Sequence, residues 1–98
     1  MILRFRHKGL VRHKGLERLF TTGLASGVSA QHVRRIQVIL GLLNVAREPS
    51  MMNAPGLRFH ALTGDRKGQY AVSVSGNWRI IFEFDDQNAT DVDLVDYH

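Results

Sequence analysis

Residues 69–84 of the chain read QYAVSVSGNWRIIFEF, and this stretch decides the fold. In each half of it, apolar residues recur at every second position, which is typical of a strand with one buried side. Gly76-Asn77 lies between the halves, and both residues tolerate the positive φ angles that a two-residue hairpin turn requires. The sequence therefore predicts an antiparallel hairpin at the centre of the fold.

The segments on either side of the hairpin complete an α+β pattern. Alternation of apolar and polar residues predicts strands at 2–6, 57–62 and 90–97 in addition to the hairpin. Apolar residues at three- and four-residue steps predict two helices between the first two of these strands, at about 16–20 and 30–47. Such an order predicts one α+β domain over residues 1–98. Its mainly antiparallel sheet would be curved, with two helices on one face.

Length and composition exclude several classes of protein. Ninety-eight residues make one domain with a modest core. The chain contains no cysteine, no run of eighteen apolar residues and no apolar leader after its basic N-terminus. We therefore expect neither a disulfide framework nor a membrane span nor a secretory signal, and a cytoplasmic location.

Positive charge is concentrated in the first half of the chain. Residues 1–49 hold nine Lys/Arg and two Asp/Glu, a net charge of +7, whereas residues 50–98 hold four and seven, a net charge of −3. A basic half suits a polyanion such as nucleic acid or an acidic protein segment. On charge alone, a surface that only keeps the protein in solution is an equal alternative.

Candidate site residues follow from strand alternation. In the strand at 57–62, Arg58 and His60 fall on the polar side, where an imidazole that titrates near neutral pH can act as acid or base. The alternative is an ordinary exposed histidine. Arg79 lies out of phase with its apolar neighbours, and either binds a phosphate or forms an ion pair with Glu83 or Asp96.

The chain ends in Asp96-Tyr97-His98, three residues able to take part in proton chemistry. Asp96 and the terminal carboxylate would favour the protonated ring of His98, although many chain ends have no function. Arg66 and Lys67, in the turn that follows Gly64-Asp65, are candidate phosphate ligands or solvated loop charges. No pair of histidines has the spacing of a metal site, although a site made of histidine and carboxylate ligands stays open.

A short duplication precedes the first helix. Arg6-His7-Lys8-Gly9-Leu10 recurs as Arg12-His13-Lys14-Gly15-Leu16. A tandem slip that lengthened a loop or the start of a helix is one interpretation, and a doubled phosphate-binding loop is the other.

Three motifs in combination resemble those of the HigB-type toxins of the RelE/ParE superfamily, namely GDRKG at 64–68, NWRI at 77–80 and DYH at 96–98. The similarity extends over nearly the whole chain. It implies a RelE-like β-α-α-β-β-β-β fold and ribosome-dependent cleavage of mRNA without a metal ion. It also implies neutralisation by a helix-turn-helix, HigA-like antitoxin, through which the toxin would reach operator DNA indirectly.

The resemblance also implies residue roles. The family's active-site histidine falls on His60, its arginine on Arg79, and its acidic-aromatic-histidine ending on Asp96, Tyr97 and His98. The mRNA 2′-hydroxyl would attack the adjacent phosphodiester, with either histidine as base or acid and Arg79 stabilising the charged intermediate. Tyr97 would stack on a base or position a phosphate.

Other functions are compatible with the same scaffold. A ParE-like toxin would inhibit DNA gyrase by binding alone, without nuclease chemistry. An inactive toxin would act only as a corepressor that helps its antitoxin bind operator DNA. Thr63 stands where some relatives carry a lysine, which removes one phosphate-binding charge.

Overall fold

The computed structural model of the chain describes residues 1–6, 11–23 and 30–96, and the side chains of all of these except 11–15. The regular elements, in chain order, are α1 (Val11–Thr22), α2 (Val33–Val45), β1 (His60–Ala61), β2 (Tyr70–Ser75), β3 (Trp78–Asp85) and β4 (Asn88–Asp96). Short 3-10 helices occupy Ala30–His32, Pro49–Met52 and Gly64–Arg66. Most of the first copy of the duplication lies outside the described residues, as do Tyr97 and His98.

The predicted hairpin is the centre of an antiparallel sheet with strand order β1-β2-β3-β4. Val72 pairs with Ile80, and Ser75 pairs with Trp78 across a two-residue turn. Only Gly76 in that turn has a positive φ, of 54°. A glycine with positive φ at the first central position is the mark of a type II′ turn, whose twist matches that of the flanking strands.

The predicted first strand forms only two isolated bridges. Ile2 pairs with Ala89 and Phe5 pairs with Val92, both in parallel, on the edge of β4 away from β3. β4 is irregular at this place, because Asp91 has a φ of 52° and the register with β3 shifts nearby. A bulge of this kind bends the strand, so a continuous ladder with the N-terminal segment cannot form.

The predicted strand at 57–62 is reduced to His60–Ala61. Arg58 has a φ of 52°, a left-handed conformation that interrupts an extended chain. Phe59 nonetheless stacks on Tyr70, with ring centroids 5.8 Å apart. The expectation of a six-residue strand was therefore wrong, although the pairing with β2 is present.

The core lies between one face of the sheet and the helices. α2 buries Ile36, Ile39, Leu40 and Leu43 at the predicted helical spacing. Burying each such side chain contributes about 1.5–3 kcal/mol, which outweighs the cost of about 1 kcal/mol for a glycine inside the helix. Two helices on one face of a four-stranded antiparallel sheet confirm the predicted α+β fold. Among the described residues, no helix is both long and apolar enough to cross a membrane.

Candidate functional site

The sheet face opposite the helices, here called the outer face, carries two of the predicted site residues. Residues paired across neighbouring strands point to the same side of a sheet. His60 pairs with Ala71, which pairs with Ile81. Arg79 pairs with Ser73, two residues along β2 from Ala71. His60 and Arg79 therefore share the outer face.

Their separation suits a shared substrate. Two strand spacings across the sheet and two residues along it put the Cα atoms of His60 and Arg79 about 12 Å apart. Both side chains are long enough to reach a single group placed between them. The outer face thus carries an imidazole and a guanidinium on strands two apart in the sheet.

The imidazole of His60 is exposed and has a defined tautomer. Its Nδ1 atom lies 3.0 Å from the backbone oxygen of Arg58. A carbonyl oxygen can only accept a hydrogen bond, so Nδ1 carries a proton in this contact. In the neutral ring Nε2 then holds the free lone pair, which is what a general base requires.

Arg79 is held by backbone and hydroxyl oxygens. Its Nη1 atom donates to the carbonyl oxygens of Gly76 at 2.7 Å and Trp78 at 3.1 Å, and approaches Ser73 Oγ at 3.5 Å. Within the described part of the chain its Nε and Nη2 atoms make no hydrogen bond and it forms no salt bridge. Its positive charge is therefore not neutralised by any of those residues.

This arrangement excludes one interpretation of Arg79. Glu83, a predicted ion-pair partner, instead accepts from Arg6 Nη2 at 3.0 Å and Gln69 Nε2 at 3.2 Å. Arg6 lies beyond β4 and Glu83 lies on β3, so the Arg6 side chain crosses β4 to reach it. The Glu83 carboxylate therefore binds Arg6 and Gln69, and it does not neutralise the charge of Arg79.

Ser73 joins the segments that carry the two site residues. Its amide donates to the Leu57 oxygen at 2.7 Å, and its own carbonyl accepts from Arg35 Nη2 at 3.1 Å. The same Arg35 nitrogen donates to the Gly56 oxygen at 2.7 Å. Arg35 therefore ties α2 both to β2 and to the loop that leads into β1. The sequence contains no signal for this contact, because both acceptors are backbone carbonyls that any residue supplies.

A buried acidic residue on the outer face was also missed. Asp93 is buried and pairs with Ile81, which is in turn paired with Ala71. Asp93 lies two residues before Val95 in β4, so both side chains are on the same side of that strand. A buried carboxylate thus lies on the outer face, in the line of cross-strand pairs that begins at His60.

Asp96 does not share the outer face with His60 and Arg79. Asp96 is the last residue of β4 and pairs with Trp78, which packs against the core, so alternation turns it away from the outer face. Arg58 is exposed and lies just before β1. Tyr97 and His98 lie outside the described residues.

The two cations of the β1–β2 turn are not brought close to Arg79. Arg66 and Lys67 are exposed within and just after the 3-10 helix Gly64–Arg66. That turn precedes β2, whereas Arg79 pairs with Ser73 near the far end of the same strand. Their positions extend the positive surface along the strands instead of concentrating it at one point.

No group of three His, Asp or Glu side chains in the described part of the chain is arranged to hold a metal ion. The chemically active side chains that the structure does place together are an imidazole and an unneutralised guanidinium. The imidazole can exchange a proton, and the guanidinium can stabilise negative charge on an anionic substrate.

Comparison with known proteins identifies the group to which the chain belongs. Residues 5–98 match a family model described as the RelE-like toxin of the type II toxin–antitoxin system HigB. The chain is also 41% identical over 87 residues to "Endoribonuclease HigB" of Proteus vulgaris, a match that covers 89% of this chain and 95% of that protein. The chain therefore belongs to the HigB-like family of RelE-like toxins of type II toxin–antitoxin systems.

Proposed function

We propose that the chain is an endoribonuclease that cleaves mRNA on the ribosome and so inhibits translation. The observation that carries this proposal is the shared outer face, where His60 presents Nε2 and Arg79 keeps an unneutralised charge about two strands away. The similarity to a protein named as an endoribonuclease supports the same reaction class.

The reaction requires a base, an acid and a stabiliser of negative charge. The 2′-oxygen of the RNA attacks the adjacent phosphorus, which gives a 2′,3′-cyclic phosphate and releases the 5′-oxygen of the next nucleotide. One histidine, His60 or His98, accepts the 2′-hydroxyl proton, and the other donates a proton to the leaving oxygen. Arg79 stabilises the additional negative charge on the phosphoryl oxygens.

The other predicted residues would bind and orient the RNA. Arg58, Arg66 and Lys67 are exposed cations along the path of the strands and are proposed to contact phosphates. Tyr97 is proposed to stack on an unpaired base, and Asp96 to orient the end of the chain. Splayed, single-stranded RNA is the form in which such contacts are available.

The family supplies the setting for this activity. A type II toxin has an antitoxin partner, which we propose is a HigA-like helix-turn-helix protein that also carries the toxin to operator DNA. Ribosomes and mRNA would be the cellular targets, and the cytoplasm the place of action. The proposed mechanism uses side chains alone and needs neither a metal ion nor a cofactor.

Cleavage of a defined mRNA, with and without programmed ribosomes, tests the proposal. We compare the wild type with His60→Ala, Arg79→Ala and a chain lacking His98. His32→Ala is the matched control, because the His32 ring lies beside Trp78 on the helix side of the sheet.

We expect ribosome-dependent cleavage that falls about 10²–10⁴-fold in His60→Ala and in the chain lacking His98, the range for loss of an acid or base. Arg79→Ala should lower it about 10²–10³-fold, the range for loss of a group that stabilises negative charge in the transition state. The His32→Ala control should retain ribosome-dependent cleavage. Cleavage that is equal in the wild type and all three test variants would refute the site. A toxic wild type that cuts no RNA would favour a ParE-like gyrase inhibitor, and a non-toxic one an inactive corepressor.

A further inference from the structure

α2 exposes an apolar stripe on the side turned away from the sheet. Val38, Leu42 and Val45 are 56%, 42% and 67% exposed, at steps of four and three residues. That spacing puts the three side chains on one line along the helix. They lie opposite the buried residues of α2 and are not needed for its packing on the sheet.

A groove runs beside this stripe, between α1 and α2. It has a volume of about 300 Å³ and is lined by Leu19, Phe20, Gly23, Gln37, Leu40 and Gly41. A Cβ atom built on Gly41 would meet nothing within 4 Å. Among the described residues, therefore, no packing contact requires a glycine at position 41, although a glycine weakens a helix. A partner backbone that approaches closely at Gly41 would account for it.

Arginines lie near both ends of the stripe. From Gln31 to Arg47 the sequence contains three arginines and no acidic residue. Arg34 is exposed one turn before Val38, and Arg47 is exposed just past the end of α2. A complementary partner therefore has apolar side chains at its centre and acidic groups at its ends.

We propose that this stripe and groove are the docking surface for an amphipathic segment of the antitoxin. Val38 and Val45 are about 10 Å apart along the helix, the length of two turns of a partner helix. An apolar side chain of that segment enters the groove beside Gly41, and acidic residues face Arg34 and Arg47. The proposal depends on membership of a toxin–antitoxin family and not on the nuclease mechanism.

The first test compares two matched charge insertions. Leu42→Glu places a carboxylate in the stripe, whereas Leu3→Glu places one at an equally exposed leucine, 47% against 42%, in the N-terminal segment beside β4. The probe is the antitoxin protein encoded with this chain, titrated by calorimetry into each purified toxin. We expect Leu42→Glu to weaken binding at least about tenfold, and Leu3→Glu to change it less than twofold.

The second test uses Gly41 to separate folding from binding. Gly41→Ala fills open space in a helix, so we expect the Tm of the free toxin to rise by about 4–8 °C. Gly41→Gln should leave the toxin folded but block close approach and weaken antitoxin binding at least about tenfold. Unchanged binding by Gly41→Gln and Leu42→Glu would overturn the proposal.

Two further outcomes are informative. Reversal of charge in Arg34→Glu should also weaken binding, most strongly at low salt. If sedimentation shows a dimer of the free toxin that Leu42→Glu dissociates, while antitoxin affinity stays unchanged, the surface joins two copies of this chain and the proposal is wrong. Because these readouts measure binding and stability, a failure of RNA cleavage would not affect them.

Discussion

Arg35 offers the sharpest test of how the fold holds the site. Its guanidinium bridges the carbonyl oxygens of Gly56 and Ser73 at 2.7 and 3.1 Å, and Ser73 Oγ in turn lies against Arg79. Replacement by alanine removes both bridges at once. The loop that precedes His60 then keeps two contacts to β2, the hydrogen bond from the Ser73 amide to the Leu57 oxygen and the stacking of Phe59 on Tyr70.

The expected cost follows from those two hydrogen bonds. Each contributes about 0.5–1.5 kcal/mol net, and exposure of Arg35 to solvent favours the lower half of that range. We therefore expect Arg35→Ala to lower the free energy of unfolding by about 1–2 kcal/mol. At about 4–8 °C per kcal/mol for a domain of this size, Tm should fall by about 5–15 °C.

Activity should fall as well, because a two-residue β1 has few other restraints on the position of His60. We expect a loss of about tenfold in cleavage, well below that of His60→Ala, since a small misplacement of a catalytic group is costly. The assay is ribosome-dependent cleavage at 20 °C, with circular dichroism to show that each variant is folded.

Two companion variants make the result specific. Arg35→Lys keeps the charge and a nitrogen with several N–H donors on a shorter, more flexible side chain, so it should recover only part of the activity. Arg34→Ala removes an exposed arginine of the same helix that makes no such bridge. Arg35→Ala with the Tm and cleavage rate of the wild type would refute the bridge as a positioning contact.

Two predictions concern the sheet itself. Gly76→Ala should lower the free energy of unfolding by about 1–2 kcal/mol in thermal unfolding, because Gly76 has a φ of 54°. Gly41→Ala should instead raise it, and equal effects of the two substitutions would contradict this account of the turn. In a double-mutant cycle, Arg6→Ala and Glu83→Gln should show a coupling energy of about 0.2–1 kcal/mol. This energy should decrease in high salt, because the ion pair, 3.0 Å between Arg6 Nη2 and Glu83 Oε2, is partly exposed. A coupling energy insensitive to salt would argue against an ion pair.

The placement of His60 and Arg79 was predictable in outline. Alternation put each on the polar side of its strand, and the short Gly76-Asn77 turn determined the register between β2 and β3. The shortness of β1 was not predictable, because Arg58 adopts a left-handed φ that its residue type disfavours. Whether Arg79 paired with Glu83 also depended on Arg6, which is distant in sequence and reaches across β4.

Local pattern in the sequence was therefore sufficient for the hairpin and for the buried side of α2, since both follow from periodicities of two and 3.6 residues. Only the tertiary structure decided which charges are neutralised, which carbonyl oxygens Arg35 bridges and which apolar side chains of α2 stay uncovered. Those outcomes depend on contacts between segments far apart in the chain. The periodicity of the sequence and the type of each residue determine which way a side chain points, but not which groups it contacts.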